Sequence, residues 1–187
     1  MEEVRKDLIT MKKYEFTGDT KLWFGIKLHQ IRALVSFGSV TAGEIGGWIE
    51  KESNLDHSGN AWVYGDAEVS GDAEVSGNAM VSGDAWVSGN ARVYGDAEVS
   101  GNARVYGNAE VYGRKHILWI SMIGSRDDTV TFCRSKERKI IVAVGCFRGT
   151  IDEFTKKIKE THGDNKHAKA YFLAIELAKL RIDLSEE

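Results

Sequence analysis

The sequence contains no proline and only two cysteines, Cys133 and Cys146, in 187 residues. A chain without proline keeps a backbone N–H at every position, which suits long sheet ladders. Neither cysteine belongs to a Cys-x-x-Cys motif, so two reduced thiols are expected, with one disulfide as the alternative. No apolar run approaches the length of a membrane span, and the opening MEEVRKDLITMKKYEF is too charged for a secretory leader. A cytoplasmic chain is therefore expected. Residues 58–111 hold no histidine and residues 58–113 no threonine. The first absence removes a general base from the middle of the chain; the second removes the threonine ladders of an ice-binding sheet.

Positive charge is also scarce in the middle. Residues 58–113 carry 2 Lys/Arg against 8 Asp/Glu, whereas residues 114–187 carry 15 against 11, within an overall net charge of −3. A basic end after an acidic middle points to an anionic partner for the last third. The competing reading is that Lys156, Lys157, Lys159, Lys166 and Lys169 solvate helix faces.

What is present is a repeat. Nine hexads run unbroken from Ser58 to Val111, each [Ser/Tyr]-Gly-[Asn/Asp]-Ala-x-Val, from SGNAWV to YGNAEV. Units this short bury their apolar side chains only by stacking on one another. Valine suits a short buried strand and alanine a crowded corner, while glycine beside Asn or Asp supplies the turn. The variable x position is left to point outward. The pattern resembles the hexapeptide-repeat family, whose coils hold three hexads; stacking every third hexad, as that resemblance implies, gives three outer rows: Trp62, Met80, Glu98; Glu68, Trp86, Arg104; and Glu74, Arg92, Glu110. The last is a charge ladder stable in water. Trp62, Met80 and Trp86 stand out as a partner or oligomer surface, unless a flanking segment of the same chain covers them.

The family that this pattern resembles forms a left-handed parallel β-helix with three hexads per coil. The resemblance implies a mainly β fold with three regular coils, roughly 14 Å tall at about 4.8 Å per strand. It also implies homo-oligomerisation, as a trimer or dimer. GEIGGWIEKESNLDH keeps partial phase, with Ile49, Leu55 and Ala61 six apart, and reads as an irregular first coil closed by Trp48, Ile49 and Leu55.

Four segments follow from this reading: an arm (1–12), a β-rich N-terminal cap with the first coil (13–57), the repeats (58–113), and a β-β-β-α-α module (114–187) that forms a small α+β cap. In the cap segment, KYEFTGDT reads as a strand ending in a Gly-Asp turn. In the last module HILWISMIG, TVTFCR and KIIVAVGCF read as strands, with Ser-Lys-Glu-Arg as a turn and Cys146 packed within the third. Thr150 to Glu153 is a capping box that opens a helix; Gly163 ends it, and Asp164 or Asn165 caps a second helix from Lys166 to Ile182.

MKKYEFTGDT, AGEIGGWIE, GNARVYG-type hexads, IGSRDDTVT, GCFRGTIDEF and KETHGDNKH together resemble uncharacterised phage and prophage hexapeptide-repeat proteins. That resemblance implies a phage origin and an intracellular location, and carries no activity. Acyltransferases of the hexapeptide family resemble one another in a catalytic histidine and a loop over an acyl-CoA cleft. Here no loop interrupts the hexads, and only His57 or His116 could serve. Hexapeptide carbonic anhydrases need three histidine ligands, which residues near the coils do not supply. No metal, cofactor or catalytic residue is expected. Arg126, Arg134, Arg148 and His162, with Arg138, His116 and His167 nearby in sequence, are the candidate anion-binding groups. The expected function is a phage-encoded, non-enzymatic binding protein that holds a host protein or a small nucleotide-like anion, blunting a host defence. A nucleic-acid or membrane partner is not expected. The alternatives are an acyl-CoA-dependent acyltransferase and a self-assembling scaffold.

Overall fold

The computed structural model describes residues 12–185. The expected N-terminal arm lies outside the described residues apart from Lys12, whose ammonium pairs with Glu52 at 2.8 Å. Each hexad contributes one two-residue strand: β4 (Trp62–Val63), β5 (Glu68–Val69), β6 (Glu74–Val75), β7 (Met80–Val81), β8 (Trp86–Val87), β9 (Arg92–Val93), β10 (Glu98–Val99), β11 (Arg104–Val105) and β12 (Glu110–Val111). Before them come β1 (Tyr14–Trp23), β2 (Ile26–Ala33) and β3 (Ile45–Ile49). After them come β13 (Ile117–Ile123), β14 (Asp128–Arg134), β15 (Ile140–Val144), β16 (Phe147–Thr150), α1 (Ile151–His162) and α2 (Lys166–Arg181).

The hexads form a parallel β-solenoid of about four turns, counted on the face where β3, β5, β8 and β11 stack. The other faces are β4-β7-β10 and β6-β9-β12. Each strand residue of the first six hexads pairs with the one three hexads later, as in Trp62 with Met80 and Glu74 with Arg92. The hexad valines are 0% exposed, and so are all the hexad alanines but Ala109, at 1%. Each buried valine contributes about 1.5–3 kcal/mol through its removal from water. Glycine is obligatory at the corners of the inner coils for two reasons. Gly89 has φ +72°, and a Cβ there would sit 2.9 Å from the Gly107 nitrogen in the next coil.

The first turn departs from the expected phase. Ile49 stacks on Val69 and Leu55 bridges to Val75, so both occupy the valine position. The next residue in that position is Val63 rather than Ala61, because the stretch after Leu55 is two residues longer than a hexad. The Gly-Asp turn is also corrected. Gly18 and Asp19 lie inside β1, where the register slips between Phe16 and Thr20, and the chain reverses at Phe24-Gly25. β1 and β2 pair antiparallel, and β2 joins the solenoid through β3.

The last module has four strands, not three. An antiparallel sheet β13-β14-β15-β16 carries both helices. KIIVAVGCF splits at Gly145-Cys146, a two-residue turn between paired Val144 and Phe147. Cys146 is consequently exposed rather than packed in a strand. One side of the sheet brings Ile117, Cys133, Trp119 and Ile141 onto the open end of the coils. The other packs Val130, Phe132 and Val142 against Phe154, Ile158, Tyr171 and Ile175. Polar contacts close the seam. The Arg104 backbone N–H donates to Thr131 Oγ1 (3.0 Å) and the Tyr106 hydroxyl to the Val142 carbonyl (2.8 Å), which ties one backbone group of the last coil and one of the cap sheet across the seam. Thr150 and Glu153 form the capping box, Gly163 ends α1, and Asn165 Oδ1 accepts from His167 and Ala168 N–H at the start of α2. No helix among the described residues is long and apolar enough to cross a membrane.

Candidate functional site

The outward x positions are not equally exposed. Trp62 is 0% exposed, contrary to its expected place on an open surface. Tyr14 and Phe37 meet its ring edge-on at centroid distances of 6.2 and 5.4 Å, because the flanking segment folds over this face. Glu68 is buried as well, paired with Lys21 of β1 at 2.6 Å. Burial pushes its carboxyl above the usual range, against the pull of Lys21. Met80 and Trp86 remain half-buried.

Trp86 is the floor of a groove. Its walls are the tip of the β1–β2 hairpin on one side and the turns of the C-terminal module on the other, and it encloses about 570 Å³. Volumes of ~300–1,000 Å³ are typical of small-molecule sites. At the tip, Phe24 stacks on Trp86, with centroids 5.8 Å apart and planes 16° from parallel, and Trp23 meets Phe24 edge-on at 5.0 Å. The tip is a two-residue turn with φ +46° at Phe24 and +81° at Gly25. Positive φ at both central positions is the type I′ arrangement, in which Asn or Gly is favoured at the first. A phenylalanine there is strained, and it is 80% exposed. The hairpin thus holds an aromatic ring over the groove at a conformational cost.

Two guanidiniums face this aromatic floor. Arg148 lies with its Cζ 5.7 Å from the Trp86 centroid and 4.9 Å from that of Tyr106. Arg104, from β11, donates to the Gly145 carbonyl at 3.0 Å, and Arg148 donates to the same oxygen at 3.3 Å. Among the described residues neither forms an ion pair with a carboxylate. Burial, and then the adjacent Arg104 charge, lower the Arg148 pKa. Bringing like charges together in a partly desolvated wall is unfavourable and favours an anion between them. Asp84, Asp127 and Asp128 also line the groove, the first two exposed. It can therefore accept an anion at its arginines and hydrogen-bond donors at its carboxylates.

The expected anion-binding residues do not form one site. Arg126 and His162 line a separate cleft of about 270 Å³ between the β13–β14 turn and α1. Arg134 is corrected to a structural role. It is buried, reaches Glu110 at 3.4 Å and lies 5.1 Å from the Tyr112 centroid, so its charge is already used. Arg92 bridges Glu74 and Glu110 at 3.5 and 3.7 Å, which makes the third row the charge ladder expected of it. His57 stacks on Tyr14 at 4.3 Å and accepts the Lys13 N–H at 3.2 Å. It lines a shallow groove with Glu52, Asp56, Glu74 and Arg92. Burial lowers its pKa. His116 is buried and accepts from the Tyr112 N–H at 3.3 Å. No histidine lines the Trp86 groove, and no cluster among the described residues could hold a metal ion.

Residues 73–89, 85–101 and 97–113 match the family described as YdcK Beta solenoid repeat. The hexads are β-solenoid repeats. A 39-residue stretch is 46% identical to a protein of Escherichia coli (strain K12) named uncharacterized acetyltransferase YdcK. The match covers 21% of this chain and 12% of that relative. The family match lies within the solenoid, whereas eight of the thirteen residues lining the Trp86 groove come from the hairpin and the C-terminal module. Sequence reasoning reached Trp86 and Arg148 but missed Trp23, Phe24 and Arg104. The overlooked signal was Trp-Phe-Gly, a Gly-containing pair between two strand-like runs.

Proposed function

We propose that this protein is a non-enzymatic binding protein whose solenoid is a rigid frame and whose Trp86 groove holds a small, ring-bearing anion of nucleotide type. The observation that carries this reading is the pair Arg104 and Arg148, which share the Gly145 carbonyl beside an aromatic floor and, among the described residues, have no carboxylate partner. A planar ring gains from stacking on Trp86 and from the guanidinium, and a phosphate gains two charge-assisted donors. Rim carboxylates accept from amino groups on such a ring. The resemblance to phage and prophage proteins extends the proposal: capture of a nucleotide-like signal in the host cytoplasm would blunt a defence that depends on it. Native mass spectrometry of protein purified from bacterial cells tests the reading. A bound organic anion is expected, lost from Arg148→Gln; protein that carries none and retains none from a metabolite extract contradicts it.

A second reading, acyl transfer, is favoured by the name of the Escherichia coli relative and by His57. Burial lowers the His57 pKa, but its Nδ1 already accepts the Lys13 N–H, so acting as a general base would require that bond to be given up. Calorimetric binding of acetyl-CoA that disappears in His57→Ala would support it, and no heat of binding would exclude it.

A further inference from the structure

The Trp86 groove and the smaller cleft beside α1 share a wall made of Asp128, Gly145 and Cys146. The Gly145-Cys146 turn and the Asp128 side chain beside it stand between them. In the second cleft, Arg126 and Lys157 face the space, with His162 and Tyr171 behind. Arg126 forms no ion pair among the described residues, and Lys157 meets an exposed Glu160 at 3.8 Å. Within the cleft lining, these two cations face one carboxylate, Asp128, whose Oδ1 already accepts from the Thr129 N–H at 2.8 Å.

The turn that carries Arg126 is held in place. Gly124 has φ +81°, and a Cβ on it would lie 2.0 Å from the Tyr171 hydroxyl oxygen of α2. Only glycine admits this approach, so the turn is seated on α2 and Arg126 starts from a fixed backbone. Preorganised cations bind anions with less ordering cost than free surface lysines.

Resting on the nucleotide reading of the first groove, we infer that the two cavities are subsites of one ligand: the base stacks on Trp86, the first phosphate meets Arg104 and Arg148, and the distal phosphates cross the Gly145-Cys146 turn to Arg126 and Lys157. The ligand class is thereby narrowed to a nucleotide with more than one phosphate group. Affinity in such a site rises with phosphate number, because each further phosphate reaches a new charge-assisted donor.

The test is calorimetry and tryptophan quenching with adenosine and guanosine, their mono-, di- and triphosphates, and inorganic triphosphate, at one fixed ionic strength. For at least one base, affinity should rise about tenfold or more from mono- to triphosphate, the loss of one charged contact being worth about that factor. Arg126→Gln with Lys157→Gln should flatten this series while leaving monophosphate affinity within about twofold; both residues are exposed, and circular dichroism checks the fold. Monophosphate binding that depends on Arg148, but with no gain along the series or no effect of the double variant, overturns the two-subsite inference and leaves the first groove standing. Inorganic triphosphate that binds as tightly as the nucleotide also overturns it, since the ring would then contribute nothing. If none of the nucleotides binds, both readings fall.

Discussion

Replacing Gly89 and Gly107 by alanine, one at a time, isolates how much of the solenoid's stability depends on coils in direct backbone contact. Both glycines lie in one corner column, and both are left-handed, at φ +72° and +65°. A Cβ in that region costs roughly 1–2 kcal/mol at either site. The gain from stiffening the unfolded chain, about 0.4–1 kcal/mol, is common to the two and cancels in the comparison. What differs is the neighbour. At Gly89 the Cβ would lie 2.9 Å from the Gly107 nitrogen and 3.2 Å from its Cα, whereas at Gly107 nothing lies within 4 Å. Backbone cannot swing aside as a side chain can, so the coils must part, an overpacking cost of about 1–3 kcal/mol. Gly89→Ala should therefore be less stable than Gly107→Ala by about 1–3 kcal/mol in urea unfolding followed by far-UV circular dichroism. Equal losses at the two sites would refute stacked backbone as the reason for glycine in the hexad.

Trp62→Ala should cost about 3–5 kcal/mol in the same assay, as for a wholly buried aromatic, because Tyr14 and Phe37 enclose Trp62; a loss under 1 kcal/mol would mean the flanking cover is not seated. In the native protein a thiol reagent should modify Cys146 within minutes and Cys133 only after unfolding, since Cys133 is buried and burial raises its pKa. Burial lowers the Lys13 pKa to about 8, while in the unfolded chain it keeps its ordinary value of 10.5. Between these values the folded state binds fewer protons than the unfolded one, so stability rises with pH across this window. The difference in unfolding free energy between the parent and Lys13→Met should shift in the parent's favour from pH 8 to 10, and a flat difference would contradict the burial of this ammonium.

The hexad phase, combined with the three hexads per coil that the family resemblance implies, was enough to place each strand on its face. The charge ladder of Glu74, Arg92 and Glu110 follows from the same arithmetic. Which x positions stay open was not legible. Trp62 and Trp86 occupy the same place in the repeat but lie on different faces, and the path of residues 14–37 decides what covers each. That path turns at Phe24-Gly25, where a phenylalanine takes the conformation that Asn usually marks. The continuous apolar run KIIVAVGCF concealed a second such turn at Gly145-Cys146, and with it the carbonyl on which Arg104 and Arg148 converge. Arg134 and Arg148 look alike in the sequence. They differ because Glu110 stands beside one and, among the described residues, no carboxylate pairs with the other.

Titration calorimetry of the parent, Trp86→Ala and Arg148→Gln against one panel of nucleotides reads the groove most directly. The parent should bind at least one of them with one site per chain, and each variant should weaken that ligand about tenfold or more, through the lost stacking surface or the lost charge. A parent that binds none, or variants that bind as the parent does, would contradict recognition by the Trp86 groove.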